Sequence, residues 1–189
     1  MRIISGKYKS TKLFISTNKN TRPLKDMVKE SIFNTLVHSN KFLINFKKTN
    51  ILDLFSGTGS FGLECLSREA KKVTFVENDE EAKNILLKKI NKIKIENPNK
   101  INVISRSVSN FINCYEGHDE KFDLIFLDPP YKEKNIFEIL INLKKKNILN
   151  NNGIIILHRH KKSTDSILDN FKIKEEKIYG LSKIIFFNF

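Results

Sequence analysis

The sequence predicts an α/β fold: a mostly parallel sheet with helices on both faces, an antiparallel C-terminal strand, and a small N-terminal hairpin-and-helix extension. Three observations predict it. From residue 50 onward, short apolar runs alternate with stretches of helical spacing. The first of these runs, 51–54, leads straight into a glycine-rich turn that opens a helix. The final stretch reads as two strands around Gly180, the pattern of an antiparallel hairpin.

Taken in order, the opening holds two short runs, Arg2-Ile3-Ile4 and Lys12-Leu13-Phe14-Ile15, separated by Gly6-Lys7-Tyr8-Lys9-Ser10. This predicts a hairpin outside the main sheet. Thr21-Arg22-Pro23 leads into a helix over 25–37, where Met27, Val28, Ser31, Ile32, Thr35 and Leu36 make an amphipathic stripe. Asp26 and Glu30 sit favourably near its positive end. Residues 42–46 read equally as a second short helix or a loop. Strands are then predicted at 51–54, 73–77, 101–105, 122–127 and 154–157, and helices at about 60–67, 80–90, 108–115 and 136–143. The strand at 154–157 is expected to start after an Asn-Asn-Gly turn at 151–153, and 171–179 and 182–189 close the chain. The organisation is an appendage over 1–24, not an independent domain, on one α/β domain over 25–189.

A chain of 189 residues with 40% hydrophobic residues and 15 Phe can bury a full core. Its longest apolar runs are far short of a membrane helix, and the N-terminal residues lack the apolar stretch of a secretory signal. Two cysteines, Cys65 and Cys114, make neither a disulfide framework nor a zinc site, and both read as small buried apolar residues. A soluble, cytoplasmic, metal-free monomer is the expectation. The net charge of +13, from 34 Lys+Arg against 21 Asp+Glu, fits a polyanionic partner such as nucleic acid. It fits AT-rich codon bias equally, so charge needs a site to decide it.

Gly57-Thr58-Gly59-Ser60-Phe61-Gly62 matches the G-x-G-x-x-G fingerprint between a strand and a helix. Glu77, 20 residues beyond Gly57, ends the next strand where an acceptor for ribose hydroxyls belongs. On these features alone, NAD and S-adenosylmethionine are both admissible. Charge separates them. A pyrophosphate at the helix start would meet Asp53 at the strand end before the loop and Asp128 at the end of another strand of the same sheet, whereas the ammonium and sulfonium of S-adenosylmethionine are stabilised by carboxylates. A P-loop is excluded because no Gly-Lys-[Ser/Thr] follows the glycines.

Asp128-Pro129-Pro130-Tyr131 ends the apolar run 122–127. A ring amine is a poor nucleophile because its lone pair is delocalised. Two acceptors aimed at its hydrogens draw the nitrogen toward tetrahedral geometry and free that pair. Asp128 supplies a carboxylate oxygen and Pro129 a backbone carbonyl, held still by the prolines, while Tyr131 stacks on a base drawn out of its helix. Alignment with the methyl group does the rest.

These motifs, with Arg2-Ile3-Ile4-Ser5-Gly6, Thr21-Arg22-Pro23, the run from Glu30 to Leu36, the run from Asp53 to Glu64, and Phe75-Val76-Glu77, resemble the bacterial 16S ribosomal RNA guanine-N2 methyltransferase family, the RsmD type. The likeness covers nearly the whole chain. It implies a class I, Rossmann-like methyltransferase fold, S-adenosyl-L-methionine as cofactor, and methylation of one guanine amine in 16S rRNA on an assembling small subunit. Asp128, Pro129, Pro130 and Tyr131 are then the catalytic candidates. Donor-binding candidates are Asp53, Phe55, Ser56, Gly57, Gly59, Glu77, Asn78, Ser107 and Asp128. RNA-contacting candidates are Arg22, Lys7, Lys9, Lys12 and Lys25. Tyr8 and Phe55 could touch ligand, packing being the plainer reading for both.

Two departures stand out. The family usually places Asp or Asn after the third strand to read the adenine amine, where this chain has Arg106-Ser107-Val108; Ser107 or a backbone amide must serve. It commonly has Glu near position 158, where this chain has His158-Arg159-His160, a weak metal pattern read as surface. DNA adenine-N6 methylation uses the same tetrapeptide but needs a target-recognition region for which this chain has no spare length. An NAD-dependent oxidoreductase leaves Asp-Pro-Pro-Tyr unexplained, and a non-catalytic RNA-binding module explains neither motif.

Overall fold

The computed structural model describes residues 2–13, 24–42, 44–116, 120–130, 132–163 and 171–189. Seven strands form one sheet: β1 (Asn50–Leu54), β2 (Lys72–Glu77), β3 (Ile101–Ser105), β4 (Phe122–Leu127), β5 (Leu149–His160), β6 (Lys172–Tyr179) and β7 (Ser182–Asn188). Their order is β3-β2-β1-β4-β5-β7-β6. The first five are parallel, and β7 runs antiparallel between β5 and β6. Helices α1 (Asp26–His38), α2 (Ser60–Ser67), α3 (Glu80–Ile93), α4 (Val108–Asn113) and α5 (Ile136–Lys145) complete the fold. The chain steps outward from β1 to β3, then returns to lay β4 against the other side of β1. That reversal opens a crevice at the C-terminal ends of β1 and β4, where ligands bind in open parallel sheets.

Strand alternation divides the core into two layers. Ile51, Leu124, Phe126, Ile154 and Ile156 face α1, α2 and α3, while Leu52, Leu54, Ile125, Leu127 and Ile155 pack on the side of α4 and α5. In the first layer Phe61 stacks on Phe126 at 4.1 Å between ring centroids and on Phe33 at 5.2 Å, joining α2 to β4 and α1.

Several elements differ from the sequence expectation. Strand β5 begins at Leu149, so Asn151 to Gly153 are not a turn before it; they fall within the strand. Phe122 pairs with Leu149 and Leu124 with Ile154, so the extra residues bulge out of the ladder. A Cβ at Gly153 would lie 2.6 Å from the Leu149 side chain, which is why glycine suits the bulge. Helices α3 and α5 run on to Ile93 and Lys145, whereas α4 stops at Asn113 and leaves Cys114 exposed rather than buried. Of the stretch 42–46, residue 43 lies outside the described residues, Phe42, Ile44 and Asn45 are irregular, and Phe46 opens a 3-10 turn, Phe46–Lys48.

Residues 14–16 of the expected N-terminal hairpin lie outside the described residues; the described part carries an antiparallel bridge, Arg2 to Lys12, and is welded to α2. Glu64, fully buried, accepts the N–H groups of Ile4 at 2.7 Å and Ser5 at 2.9 Å, and Arg68 Nε at 3.0 Å. The equally buried Lys29 lies 3.9 Å from Glu64 and donates to the Arg2 carbonyl at 2.7 Å. Burial pulls the Lys29 ammonium below its usual range, against the opposing pull of Glu64 and Asp26. Lys7 N–H donates to the Ser67 carbonyl and Tyr8 N–H to the Ser67 hydroxyl. The hairpin tip therefore rests at the far end of α2, about 12 Å along that helix from the glycine turn.

Candidate active site

The glycine turn begins where β1 ends. Phe55 takes a left-handed backbone, φ 56°, and packs partly against the α4/α5 layer, while Gly57 and Gly59 also have positive φ, 54° and 78°. Gly59 must be glycine for a second reason: a Cβ would lie 2.3 Å from Leu86. Gly57 is different, since nothing lies within 4 Å of its would-be Cβ. Its backbone faces open space that a ligand can enter.

Carboxylates hold this turn by its N–H groups. Glu77, at the end of β2, accepts from Gly57 at 2.7 Å, Asn78 at 2.9 Å and Asp79 at 2.8 Å. Asp53 is 1% exposed and accepts the Gly62 N–H at 2.9 Å, so it lies beneath the turn and tethers the start of α2. Burial pushes its carboxyl well above the usual carboxylate range, against the Gly62 bond, with Asp128 and Glu77 adding repulsion. From α3 the buried Lys89 donates to the Thr58 carbonyl at 2.9 Å. Burial, helped by the nearby Lys29 charge, lowers the Lys89 pKa to about 7. Ser107 caps α4 by accepting the Asn110 N–H at 3.2 Å, and Asn78 stands exposed beyond β2.

The tetrapeptide leaves β4 beside this turn. Asp128 N–H reaches the Leu54 carbonyl at 3.4 Å, so the residue before Phe55 and the residue before Pro129 are joined directly. The Asp128 side chain is 25% exposed, and its Oδ1 lies 2.8 Å from His158 Nδ1. Pro129 is buried and Pro130 exposed; the Pro130 carbonyl accepts the Glu133 N–H at 2.9 Å. Arg159 donates to the carbonyls of Pro130 at 3.4 Å and Glu133 at 3.1 Å. Tyr131 lies outside the described residues.

The sequence reading of 158–160 as surface is therefore corrected. His158 and Arg159 are 4% and 5% exposed, because β5 extends to His160 and carries them into the sheet beside β4. Their signal was the strand's period: Ile154, Ile156 and His158 share one face. Of the RNA candidates, Lys7 pairs with Glu96 at 2.6 Å and the Lys12 carbonyl accepts Lys92 Nζ, both away from the crevice. Lys9 and Lys25 are exposed, and Arg22 lies outside the described residues. The loops after β3, β4 and β5 carry a different exposed set at the crevice edge: Arg106, Lys132, Lys134, Lys161 and Lys162. A cleft of about 560 Å³ between α1 and the end of β6, lined by Met27, Glu30, Lys177 and Tyr179, lies apart from both motifs.

The residues fit S-adenosylmethionine. Gly57 offers room for close backbone approach, and the Ser56 and Ser60 hydroxyls are buried without a bonding partner among the described residues. Glu77 and Asp128 supply carboxylates at the strand ends that suit a sulfonium and an ammonium and oppose a pyrophosphate. Among the described residues no group of three or more His, Cys, Asp or Glu is placed to hold a metal ion, and no helix is long and apolar enough to cross a membrane.

Sheet order, glycine turn and tetrapeptide together define a class I methyltransferase. The model of the family described as conserved hypothetical protein 95 matches residues 1–188, and the chain belongs to that family. It is 35% identical over 179 residues to ribosomal RNA small subunit methyltransferase D of Buchnera aphidicola subsp. Baizongia pistaciae, covering 94% of this chain and 86% of that one. The protein of the same description from Haemophilus influenzae is 33% identical over 181 residues, covering 96% and 90%. A solved structure of a proposed methylase from Haemophilus influenzae superposes with a TM-score of 0.75 at 32% identity, over 98% of this chain and 96% of its own.

Proposed function

We propose that this protein transfers the methyl group of S-adenosylmethionine to the exocyclic N2 amine of a guanine in small-subunit ribosomal RNA. One observation carries the reading: the Asp128 N–H to Leu54 carbonyl bond, which sets the amine-gripping tetrapeptide beside the donor turn at one sheet edge. The described activity of the Buchnera and Haemophilus relatives supports the RNA substrate.

The donor supplies an electrophilic methyl on a sulfonium. Everything else falls to the chain. Glu77 holds the Gly57 backbone in place, leaving its open side to the donor. Asp128 accepts one amine hydrogen through its carboxylate and the Pro129 carbonyl accepts the other, so the nitrogen lone pair points out of the ring plane toward the methyl. The C–S bond breaks as the N–C bond forms, and the nitrogen then sheds one proton to solvent. No strong base is needed, because the newly methylated nitrogen is acidic. Tyr131 would stack on the extruded base. Arg106, Lys132, Lys134, Lys161 and Lys162 frame the mouth with positive charge for the phosphates of the substrate, within a partly assembled subunit in the cytoplasm.

Labelled S-adenosylmethionine supplied with small-subunit particles lacking the modification tests this directly. Label on one guanine of the rRNA is the expected result. Label on adenine, or on DNA in place of rRNA, overturns it.

A further inference from the structure

Beside Asp128 stands a group that the amine-gripping chemistry does not itself require. Phe126 pairs with Ile156 and Leu127 with Leu157, so the same parallel register brings Asp128 alongside His158. Their side chains share one sheet face and meet at 2.8 Å. An ionised carboxylate only accepts, so Nδ1 must carry the hydrogen, and in the neutral ring Nε2 is then a lone pair. That Nε2 is buried and has no bonding partner among the described residues. The ring is thus fixed from one side only, through Asp128.

We propose that His158 is the positioning residue for the Asp128 carboxylate, donating from Nδ1 to Oδ1 so that the second oxygen faces the incoming amine. The inference rests on the amine-methylation reading above. A carboxylate on a short side chain turns about its terminal bond with little resistance. One bound oxygen removes that freedom and leaves an acceptor aimed before the substrate arrives. Arg159 complements this by gripping the Pro130 and Glu133 carbonyls, fixing the backbone that carries the second acceptor.

Other ionisable groups bear on the same carboxylate. Asp128 and Glu77 in turn repel the buried Asp53 carboxyl on β1. On the face His158 shares, Lys177 of β6 stands across Ile184 of β7. Lys29 of α1 and Glu64 of α2 face each other at 3.9 Å. Lys183 of β7 pairs in register with Arg159. None of the hydrogen bonds found for these groups reaches Asp128, so His158 is the donor whose loss the carboxylate would feel most.

The test compares His158→Leu, which keeps bulk but no donor, with His158→Asn, whose amide nitrogen falls near the position of Nδ1. For His158→Leu, kcat should fall about 10–100-fold, with rRNA KM and donor affinity within about 3-fold. His158→Asn should restore kcat to within about 5-fold. A folded His158→Leu protein with unchanged kcat, or an equally stable His158→Asn protein without rescue, overturns the proposal. Nitrogen NMR of the His158 ring gives a readout independent of turnover: an Nδ1–H signal that shifts in Asp128→Asn supports the pairing, and an Nε2–H tautomer refutes it. Wild-type protein that labels no rRNA amine would mark failure of the activity reading instead, with the NMR result still deciding the pairing.

Discussion

The glycine turn after β1 and the proline turn after β4 leave adjacent strands at the same edge, yet they are fastened by groups of opposite character. The glycine turn has its full set of backbone N–H donors, and carboxylates take hold of them: Glu77 on Gly57, Asp53 on Gly62. The proline turn has two residues with no N–H at all, so its carbonyls are in excess, and donors take hold of those: Arg159 on Pro130 and Glu133. Composition of each turn dictates the sign of its clamp. The negative clamps also suit a cationic donor, while the positive one leaves the Asp128 carboxylate as the acid that faces the substrate.

Breaking each clamp in turn should separate donor binding from chemistry. The largest effect belongs to Asp128→Ala, which removes the acceptor itself: kcat should fall at least about 10³-fold with S-adenosylmethionine affinity within severalfold, read by single-turnover kinetics and calorimetry. Glu77→Ala strips the acceptor from three backbone N–H groups. We expect donor affinity to weaken about 10–100-fold and stability to drop by about 1–3 kcal/mol, with kcat at saturating donor changed far less. Equal losses in kcat for the two variants would mean that the turns do not divide the work. Arg159→Met should lower kcat about 10-fold and leave donor affinity alone, since it loosens only the proline turn.

The smallest effect concerns Lys89, whose Nζ holds the Thr58 carbonyl from below. Its folded pKa is about 7 against 10.5 for the free side chain. Between those values the unfolded chain binds more protons than the folded one, so this group makes stability rise with pH over that window. Below it both states are protonated and the cost of burying the ammonium is constant. Thermal melts should therefore show wild type gaining on Lys89→Met as pH climbs from 7 toward 10, with no relative change from pH 5 to 6. A flat difference across the whole range would place the ammonium in contact with water.

Much of this architecture could be read from the residues alone. Apolar period located β1, β2, β4 and α2, which bury whole faces, and turn chemistry with β-branched runs located β3 and the closing hairpin, whose ends are sharp. The carboxylates and glycines were legible for the same reason: they sit at strand ends where only a few residue types serve. What escaped were charged residues placed on buried faces. Lys89 falls in register with Ala82, Leu86 and Ile93 along one helical stripe, and Lys29 with Ile32, Phe33 and Leu36. Their spacing announced burial, but residue type argues for solvent, and only the carbonyls and the carboxylate that receive them resolve the conflict. His158 and Arg159 escaped through a boundary, since a strand expected to stop at 157 in fact continues to His160. Cys114 went the other way, left outside when α4 ended at Asn113.

The Glu64 clasp has a consequence for any shortened form of the chain. Without the first dozen residues, Glu64 would lose two peptide donors and Lys29 its acceptor, uncovering an acid and a base beside a phenylalanine-lined interior. Neither belongs to the crevice, yet a protein trimmed to its catalytic half would inherit both with those partners gone. Its opening segment is thus masonry of the same wall that carries the methyl-transfer machinery.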